Sequence, residues 1–541
     1  MIQLGANNLA NHKETINQLN VFPVPDGDTG TNMNLSMQSG VRALQDMEEA
    51  EMPAILKQYV TGLLMGARGN SGVILSQLFK GFQEALETNE NIDAEDFAKG
   101  LELGVEKAYG AVTKPVEGTI LTVAKAAATC AKKSAQTTND LTAFMEQIVD
   151  AAKTSLDQTP ELLPVLKEVG VVDSGGKGLL VIYEGFLTAL KDGELNASTD
   201  ETDIDIQIEQ EHDKAVQSLI SADSIEFGYC TEFIVSFTPD KLEKHPFDEN
   251  QFRHQLSEYG DSLLVASTDD FVKIHIHTEY PGKVMNMAQN YGELTEIDIE
   301  NMRNQHKALI QSEKAEEVEE DIPEKEIALI TVAIGDGMQE MLQSVGATSV
   351  ITGGQTMNPS TEDIIQAIKK ENAKVVYLLP NNKNILLAAE QAKELVDEQV
   401  IVIPTKSIPQ GIGALFAFDE SADITTNETK MTEAIEDVKT GQMTYATRDT
   451  VINGMEIQKD AFIGMNDDAI VSTDKDKTIV LDQLINRLIT PDDEIMTVFF
   501  GEDVTEKEMN QFKHRTEENL DIDVEYYKGN QPIYPYILMV E

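Results

Sequence analysis

The apolar period of this chain changes twice along its length, and each change falls at a strongly acidic stretch. Over residues 1–190 apolar side chains recur at helical spacing, with Ile74, Leu78, Phe82 and Leu86 after Gly72 and Ile120, Val123, Ala124 and Ala127 after Gly118. No stretch there alternates convincingly with period two, which predicts an all-helical first domain, residues 1–195, its helices joined by Gly-rich turns. Residues 196–215 are polar and acidic and read as a linker. The period then becomes that of strands: 229–237 is rich in aromatic and β-branched residues, and along 271–278 isoleucines and histidines fall on opposite faces. With helical segments near 248–259 and 282–291, residues 216–310 make a small α+β middle domain. A second acidic connector spans 311–326. From 327 to 541, apolar runs at 327–332, 349–351, 375–379 and 400–403 alternate with helical segments near Met338 and from Thr361 and Lys383, the pattern of a parallel α/β sheet. A second α/β lobe follows, with strands at 494–500 and 522–527 around a helix near 506–518.

Charge excludes one class of partner. The formal net charge is -52 over 541 residues, and so acidic a surface repels a phosphate backbone instead of releasing its counterions, which argues against nucleic acid. A nucleotide meets the same repulsion, so an ATP site here depends on divalent metal and a few local cations. No run of about 18 apolar residues occurs, which argues against an integral membrane segment. The N-terminus lacks the charged-then-apolar pattern of a secretion signal, and a cytoplasmic location is expected. Cys130 and Cys230 make no disulfide framework, in line with a reducing compartment. Cys130 lies in an alanine-rich helix and reads as core.

Four Gly-rich loops stand at helix starts in the first domain. The first, Asn20-Val21-Phe22-Pro23-Val24-Pro25-Asp26-Gly27-Asp28-Thr29-Gly30-Thr31-Asn32-Met33-Asn34, sets two carboxylates two residues apart before a helix. Such a turn can aim Asp26 and Asp28 at one hard cation while the helix N-terminus offers N–H groups to a phosphate. An ordinary turn with Asp28 or Thr29 as helix cap accounts for the composition equally well. In the second loop, Gly66-Ala67-Arg68-Gly69-Asn70-Ser71-Gly72, small residues let backbone approach a polyphosphate, Asn70 or Ser71 can cap the helix, and Arg68 is the cation to offset phosphate charge. Lys114-Pro115-Val116-Glu117-Gly118-Thr119 and Val172-Asp173-Ser174-Gly175-Gly176-Lys177-Gly178 follow the same plan. Antiparallel helices bring every second turn to the same end of a bundle, so that end becomes a nucleotide pocket.

In the middle domain His275 and His277 point the same way, about 7 Å apart along their strand. Cys230 is an eligible third ligand if its strand pairs with theirs, and Cys plus two His with an open fourth position is a zinc arrangement. Two exposed histidines and a buried small thiol fit the spacing as well. In the last domain Thr352-Gly353-Gly354-Gln355-Thr356-Met357-Asn358-Pro359-Ser360 lies after a strand and before a helix, where α/β sheets bind ligands, although a plain turn with a helix cap fits it too.

The loops at residues 20–33, 66–72 and 115–119 together resemble the nucleotide-binding L-subunit domain of dihydroxyacetone kinases, and more closely the ATP-binding subunit of bacterial fatty acid kinase, whose three-part layout fits the whole chain. The resemblance implies a multidomain protein: an all-α helical barrel, a small α+β middle domain and a two-lobed α/β domain of DegV-like fold. It implies ATP/ADP bound through two Mg²⁺ ions, with Asp26 and Asp28 matching the metal-binding pair. Thr29, Asn32, Met33, Asn70, Ser71, Gly72, Gly118 and Thr119 then fall in the phosphate loops, and Asp173, Ser174, Gly175 and Gly176 near the adenosine. The dihydroxyacetone enzymes carry a further aspartate where this chain has Val21 to Pro25, which leaves Asn20 or water as candidate third ligand. The family places a Cys and a His-x-His in its middle domain as a catalytically important metal-binding set, which favours Zn²⁺ on Cys230, His275 and His277. The chain start is short for the family, so an incomplete first helix is expected.

The activity implied is transfer of the ATP γ-phosphoryl to the carboxylate of a fatty acid held by a separate fatty-acid-binding carrier protein, giving an acyl phosphate for phospholipid synthesis, with the last domain docking the carrier and the protein a homodimer. The catalytic residues would be Asp26, Asp28, Arg68, Cys230, His275 and His277. A carboxylate acceptor is already ionised at pH 7, so no general base is needed. The rivals are a dihydroxyacetone-type polyol kinase, whose substrate-binding partner with its covalent histidine is not recognisable here, a non-enzymatic lipid-binding or scaffold protein, and a zinc hydrolase, for which no Glu is poised as base.

Overall fold

The computed structural model describes residues 1–21, 27–44, 47, 51–89, 91–112, 114–192, 227–267, 271–301, 325–354, 357–446, 449–452, 454–467 and 469–541. Asp26, the 196–215 linker and most of the second acidic connector lie outside them. The chain forms two compact units, one of Met1–Leu195 with Pro323–Glu541 and the other of Asn196–Ile322. Among the described residues no helix is long and apolar enough to cross a membrane.

The first 192 residues are helical: α1 (Ile2–Asn11), α2 (Lys13–Leu19), α3 (Thr29–Arg42), α4 (Met52–Met65), α5 (Gly69–Ala85), α6 (Ala94–Ala111), α7 (Ile120–Ser134), α8 (Leu141–Asp157), the short α9 (Thr159–Leu162) and α10 (Pro164–Val169), and α11 (Ser174–Asp192). Each helix from α3 to α8 packs on the next; α8 packs on α11, α11 on α1 and α1 on α3. That closes a ring, the helical barrel that the resemblance implies. Its inner stripes supply a core that includes Met33, Tyr59, Leu63, Leu75 and Phe144, together with a cavity of about 630 Å³ lined by Phe79, Phe82, Phe97 and Phe186 among others. One close crossing is α5 on α6, where a β-carbon on Gly81 would lie 2.5 Å from the Leu103 carbonyl and one on Gly104 would lie 2.4 Å from that of Leu78. Only hydrogen at these two positions lets the backbones approach so closely. Cys130, read as core, is half-buried, its thiol 3.3 Å from the Gln147 carbonyl.

Carboxylates satisfy several helix starts. Asp93 accepts the Asp96 N–H at 2.9 Å and Asp140 the Thr142 N–H at 2.9 Å. Asp173 has that role for α11, accepting the Gly176 N–H at 2.7 Å while its own N–H donates to the Thr159 hydroxyl at 3.1 Å. Unlike the other two it is only 5% exposed. Burial pushes its carboxyl up to about 6, outweighing the downward pull of the Gly176 and Ile120 N–H groups.

The unit of residues 196–322 carries a four-stranded antiparallel sheet, β2 (Gly260–Ser267), β3 (Phe271–Thr278), β1 (Tyr229–Phe237) and β4 (Gly292–Asn301) in spatial order. Phe233, Val235, Val265, Val272, Ile274 and Ile276 pack against Phe252 and Leu256 of the helix Glu249–Leu256 and Val284 and Ala288 of the helix Pro281–Ala288.

Residues 325–541 form two lobes. The first is a parallel sheet in the order β6 (Ser349–Thr352), β5 (Lys325–Ala333), β7 (Ala373–Leu379), β8 (Gln399–Val402). The second is a six-stranded mixed sheet: β13 (Ala469–Asp474), β12 (Phe462–Asn466), β9 (Lys439–Tyr445), β16 (Tyr536–Val540), β14 (Ile495–Phe500) and β15 (Asp523–Lys528); β10 (Thr450–Ile452) and β11 (Met455–Ile457) form a separate hairpin. Only β14 and β15 run parallel in that sheet, so its outer half is the antiparallel β9–β12–β13. The first lobe packs on the barrel: Ala67 and Val73 share a core with Ile364, Ile365, Ala388 and Ala392.

Gly104→Ala should cost about 1–3 kcal/mol by overpacking. Gly110→Ala in the same helix meets no atom within 4 Å and should be neutral or slightly stabilising, so thermal melts of the pair read the crossing directly. Because the folded-state pKa of Asp173 lies above its ordinary value, its contribution to stability is complete below about pH 4 and is lost as pH rises through about 6, a span of about 3 kcal/mol. Asp173→Asn keeps a capping oxygen and removes the titration. Its stability relative to the unsubstituted protein, measured by denaturant unfolding, should rise from pH 4 to 7; parallel curves would contradict this.

Candidate active site

Four helix starts meet at one end of the ring. Asp28 precedes α3 and its carbonyl accepts the Asn32 N–H at 2.8 Å, the first helical bond. Gly69, at φ +57, turns the chain into α5, and a β-carbon there would sit 2.7 Å from Asn32 Nδ2. The Ser174 hydroxyl, at the start of α11, donates to that of Thr29 at 3.2 Å. A β-carbon on Gly175 would contact Ile120, the first residue of α7, at 3.2 Å. The starts of α5, α3, α11 and α7 are therefore consecutive neighbours. Thr29, Asn32, Asp173 and Ser174 are buried there, and Ser71 and Thr119 are half-buried. Gly118 has φ +86 and donates its N–H to the Thr122 hydroxyl, and Gly72 donates to the Arg68 carbonyl. Met33 lies apart from this polar set, fully buried in the barrel core against Gly178.

The α/β region closes over the same end. Asn358 Nδ2 donates to Asp28 Oδ2 at 2.7 Å, and the Asn358 carbonyl accepts from the Arg68 guanidinium at 3.1 Å. Arg68 also lies 3.7 Å from Asp363 Oδ2 and donates its backbone N–H to the Ser36 hydroxyl. Asn70 donates to Asn384 at 3.2 Å, and the Thr361 N–H to the Ala67 carbonyl at 3.1 Å. Gln391 accepts from Ser76 and Gln77 and donates to the Leu64 carbonyl. Neither Asn358 nor Asp363 stands out in the sequence as a site residue. The loop 352–360 reads as site-like, but nothing in the sequence says that it lies on Asp28.

Asp28, the amides of Asn32 and Asn358 and the positive ends of four helix dipoles form a set suited to a polyphosphate with a hard cation, while Asn17 takes the Thr31 N–H and Asp173 those of Ile120 and Gly176. Of the two carboxylates expected to hold a metal, Asp26 lies outside the described residues and Asp28 alone is seen. Asn20, a candidate third ligand, is buried at the end of α2.

In the other unit β1 and β3 do pair, and their register sets Cys230 opposite His277 and Glu232 opposite His275. His277 is 3% exposed, so it is not a surface histidine. Among the described residues no three His, Cys, Asp or Glu side chains cluster to hold a metal; the side chains of Cys230 and His275 lie outside them.

Comparison with known proteins gives matches along the chain. Residues 23–188 match the DAK2 domain, 226–309 the middle domain of the FakA-like fatty acid kinase family, and 328–541 the C-terminal domain of the same family. The chain is 49% identical over 543 residues to Protein YloV of Bacillus subtilis (strain 168), covering 100% of this chain and 98% of that one. It is also 49% identical over 542 residues to an uncharacterized protein of Staphylococcus aureus (strain USA300), again covering 100% and 98%. Among solved structures, the dihydroxyacetone kinase from C. freundii in complex with AMP-PNP and Mg2+ is 21% identical, covering 35% of this chain and 33% of that one at a TM-score of 0.28. A DegV family protein from Corynebacterium glutamicum is 9% identical, covering 40% and 97% at a TM-score of 0.32. With three domain matches in the same order and near-complete coverage of its relatives, the chain belongs to the FakA-like fatty acid kinase family.

Proposed function

We propose that this chain binds ATP at the end of the helical barrel and transfers its γ-phosphoryl group to the carboxylate of a fatty acid presented by a separate carrier protein. The observation that carries this reading is the meeting of four helix starts around Asp28. Membership of a kinase family supports phosphoryl transfer, and the family's description supports a fatty acid as acceptor. Helix N-termini favour phosphate oxygens, and Asp28 with Asp26 would hold the metal. Mg²⁺, when bound, would offset charge on the phosphates, which a chain of net charge -52 repels at long range. A carboxylate oxygen attacks the γ-phosphorus, the bond to the β-phosphate oxygen breaks and ADP leaves, so no proton has to be removed from the acceptor. Catalysis then reduces to positioning and charge neutralisation. Cys230, His275 and His277 serve the acceptor side, through Zn²⁺ or directly, and the α/β domain docks the carrier. On this reading the protein works in the cytoplasm, as a homodimer.

The test is ATP-dependent formation of hydroxylamine-trappable acyl phosphate in the presence of carrier and fatty acid, with dihydroxyacetone as competing acceptor. Acyl phosphate from the fatty acid supports the reading, and phosphorylation of dihydroxyacetone alone would replace it. Asp28→Ala should lower acyl phosphate formation by on the order of 100-fold while the carrier still binds in a pull-down. His277→Ala should lower product formation but leave Mg·ATP affinity by calorimetry unchanged, because His277 is assigned to the acceptor.

A further inference from the structure

We infer that Asn358, in the α/β domain, is a positioning residue of the phosphoryl-donor site: its side-chain amide orients the Asp28 carboxylate toward the metal–nucleotide, so this site is assembled only across the contact between barrel and α/β domain. The inference rests on the preceding assignment of the barrel end as a nucleotide site.

Asn358 is 3% exposed and uses two of its polar groups on charged residues of that end, Nδ2 on Asp28 and the main-chain carbonyl on Arg68. A carboxylate can only accept, so the amide must turn its NH₂ to Asp28, which fixes the orientation of Oδ1. That oxygen is buried with no hydrogen-bond partner among the described residues. A buried unpaired oxygen costs free energy, and it points to a missing donor or cation at this site. The neighbourhood agrees, since a β-carbon on Gly69 would lie 3.6 Å from Asn358 Nδ2 and 2.7 Å from Asn32 Nδ2, setting the two amides about the first turn of α5.

The loop that carries Asn358 is braced on both sides. Gly353 donates its N–H to the Ala333 carbonyl, and Gly354 donates to that of Met357. On the other side Ser360 and Asp363 form a reciprocal capping box at the helix Thr361–Glu371, and Thr361 donates to the Ala67 carbonyl. Asp363 thus caps a helix of one domain while its Oδ2 faces Arg68 of the other.

Gln391 provides the control. It is 5% exposed and bonds Ser76, Gln77 and Leu64 across the same contact without touching Asp28. Binding of Mn²⁺ with AMP-PNP, read by electron paramagnetic resonance, is to be compared in the full-length protein, Asn358→Ala, Asn358→Leu and Gln391→Ala, alongside melting temperature and the KM and kcat for Mg·ATP. Asn358→Leu keeps most of the side-chain volume, which guards against a mere packing loss in the alanine variant. Both Asn358 variants should weaken Mn²⁺ binding about tenfold, the size typical of removing a partner that orients a metal ligand, and raise the Mg²⁺ needed for half-maximal rate. Gln391→Ala should melt earlier with unchanged Mn²⁺ affinity. Asn358 variants that bind Mn²⁺ normally, or a Gln391 variant that loses it equally, would overturn the inference. An unsubstituted protein that binds no Mn²⁺·AMP-PNP would instead overturn the nucleotide-site assignment beneath it.

Discussion

The carboxylate of Asp28, the residue that precedes α3, takes a hydrogen bond from Asn358, 330 residues further along the chain. Much of the arrangement at this end of the molecule follows from that contact. The helix behind Asp28 is locked into the barrel by Met33 and Met37, and the loop ahead of Asn358 is tied to β5 and to the helix Thr361–Glu371. Barrel and α/β domain therefore meet at one carboxylate. On the proposed function this carboxylate would be a metal ligand held from both sides, as a preorganised site requires, since a charge that must be repositioned during each turnover stabilises little.

The barrel contributes in a different way. Closing eight helices into a ring fixes which ends are neighbours, and the glycine crossing of α5 on α6 allows closure at a tight helix separation. The starts of α3, α5, α7 and α11 then share one end, so the positive ends of four helix dipoles are pooled there instead of being scattered. In a chain of net charge -52 this pooling matters, because the long-range field opposes a polyanion and only short-range donors and a cation can offset it.

Local features of this arrangement are legible in the sequence, whereas its long-range contacts are not. Helical spacing before residue 190 and strand period in 229–237 and 271–278 survive into the structure because each element buries an apolar face, as Ile274 and Ile276 do, although His277 on the opposite face is buried as well. The Gly-rich loops announce helix starts, and the ring brings them together. The strands β9, β12 and β13 escape a reading by period, for in β12 and β13 the apolar residues adjoin one another and in β9 glycine and polar residues fall among the buried positions. Arg68 reads as a free cation for phosphate, yet in the structure its guanidinium meets Asn358 and Asp363 of another domain. No local rule could reveal this, because a domain contact depends on complementarity between surfaces that are hundreds of residues apart. Pairing of Cys230 with His277 lies between these cases: strand period suggests a shared face, but only the β1–β3 register sets the two residues opposite each other.

The central claim is that the acceptor is a fatty-acid carboxylate. Incubating the protein with ATP, carrier and a fatty acid labelled with oxygen-18 in its carboxylate, and following the phosphorus by nuclear magnetic resonance, tests it most directly. The account predicts an acyl phosphate in which the oxygen bridging carbon and phosphorus is the heavy isotope, with unlabelled ADP. ADP released without labelled acyl phosphate, or a product whose bridging oxygen came from ATP or water, would contradict it.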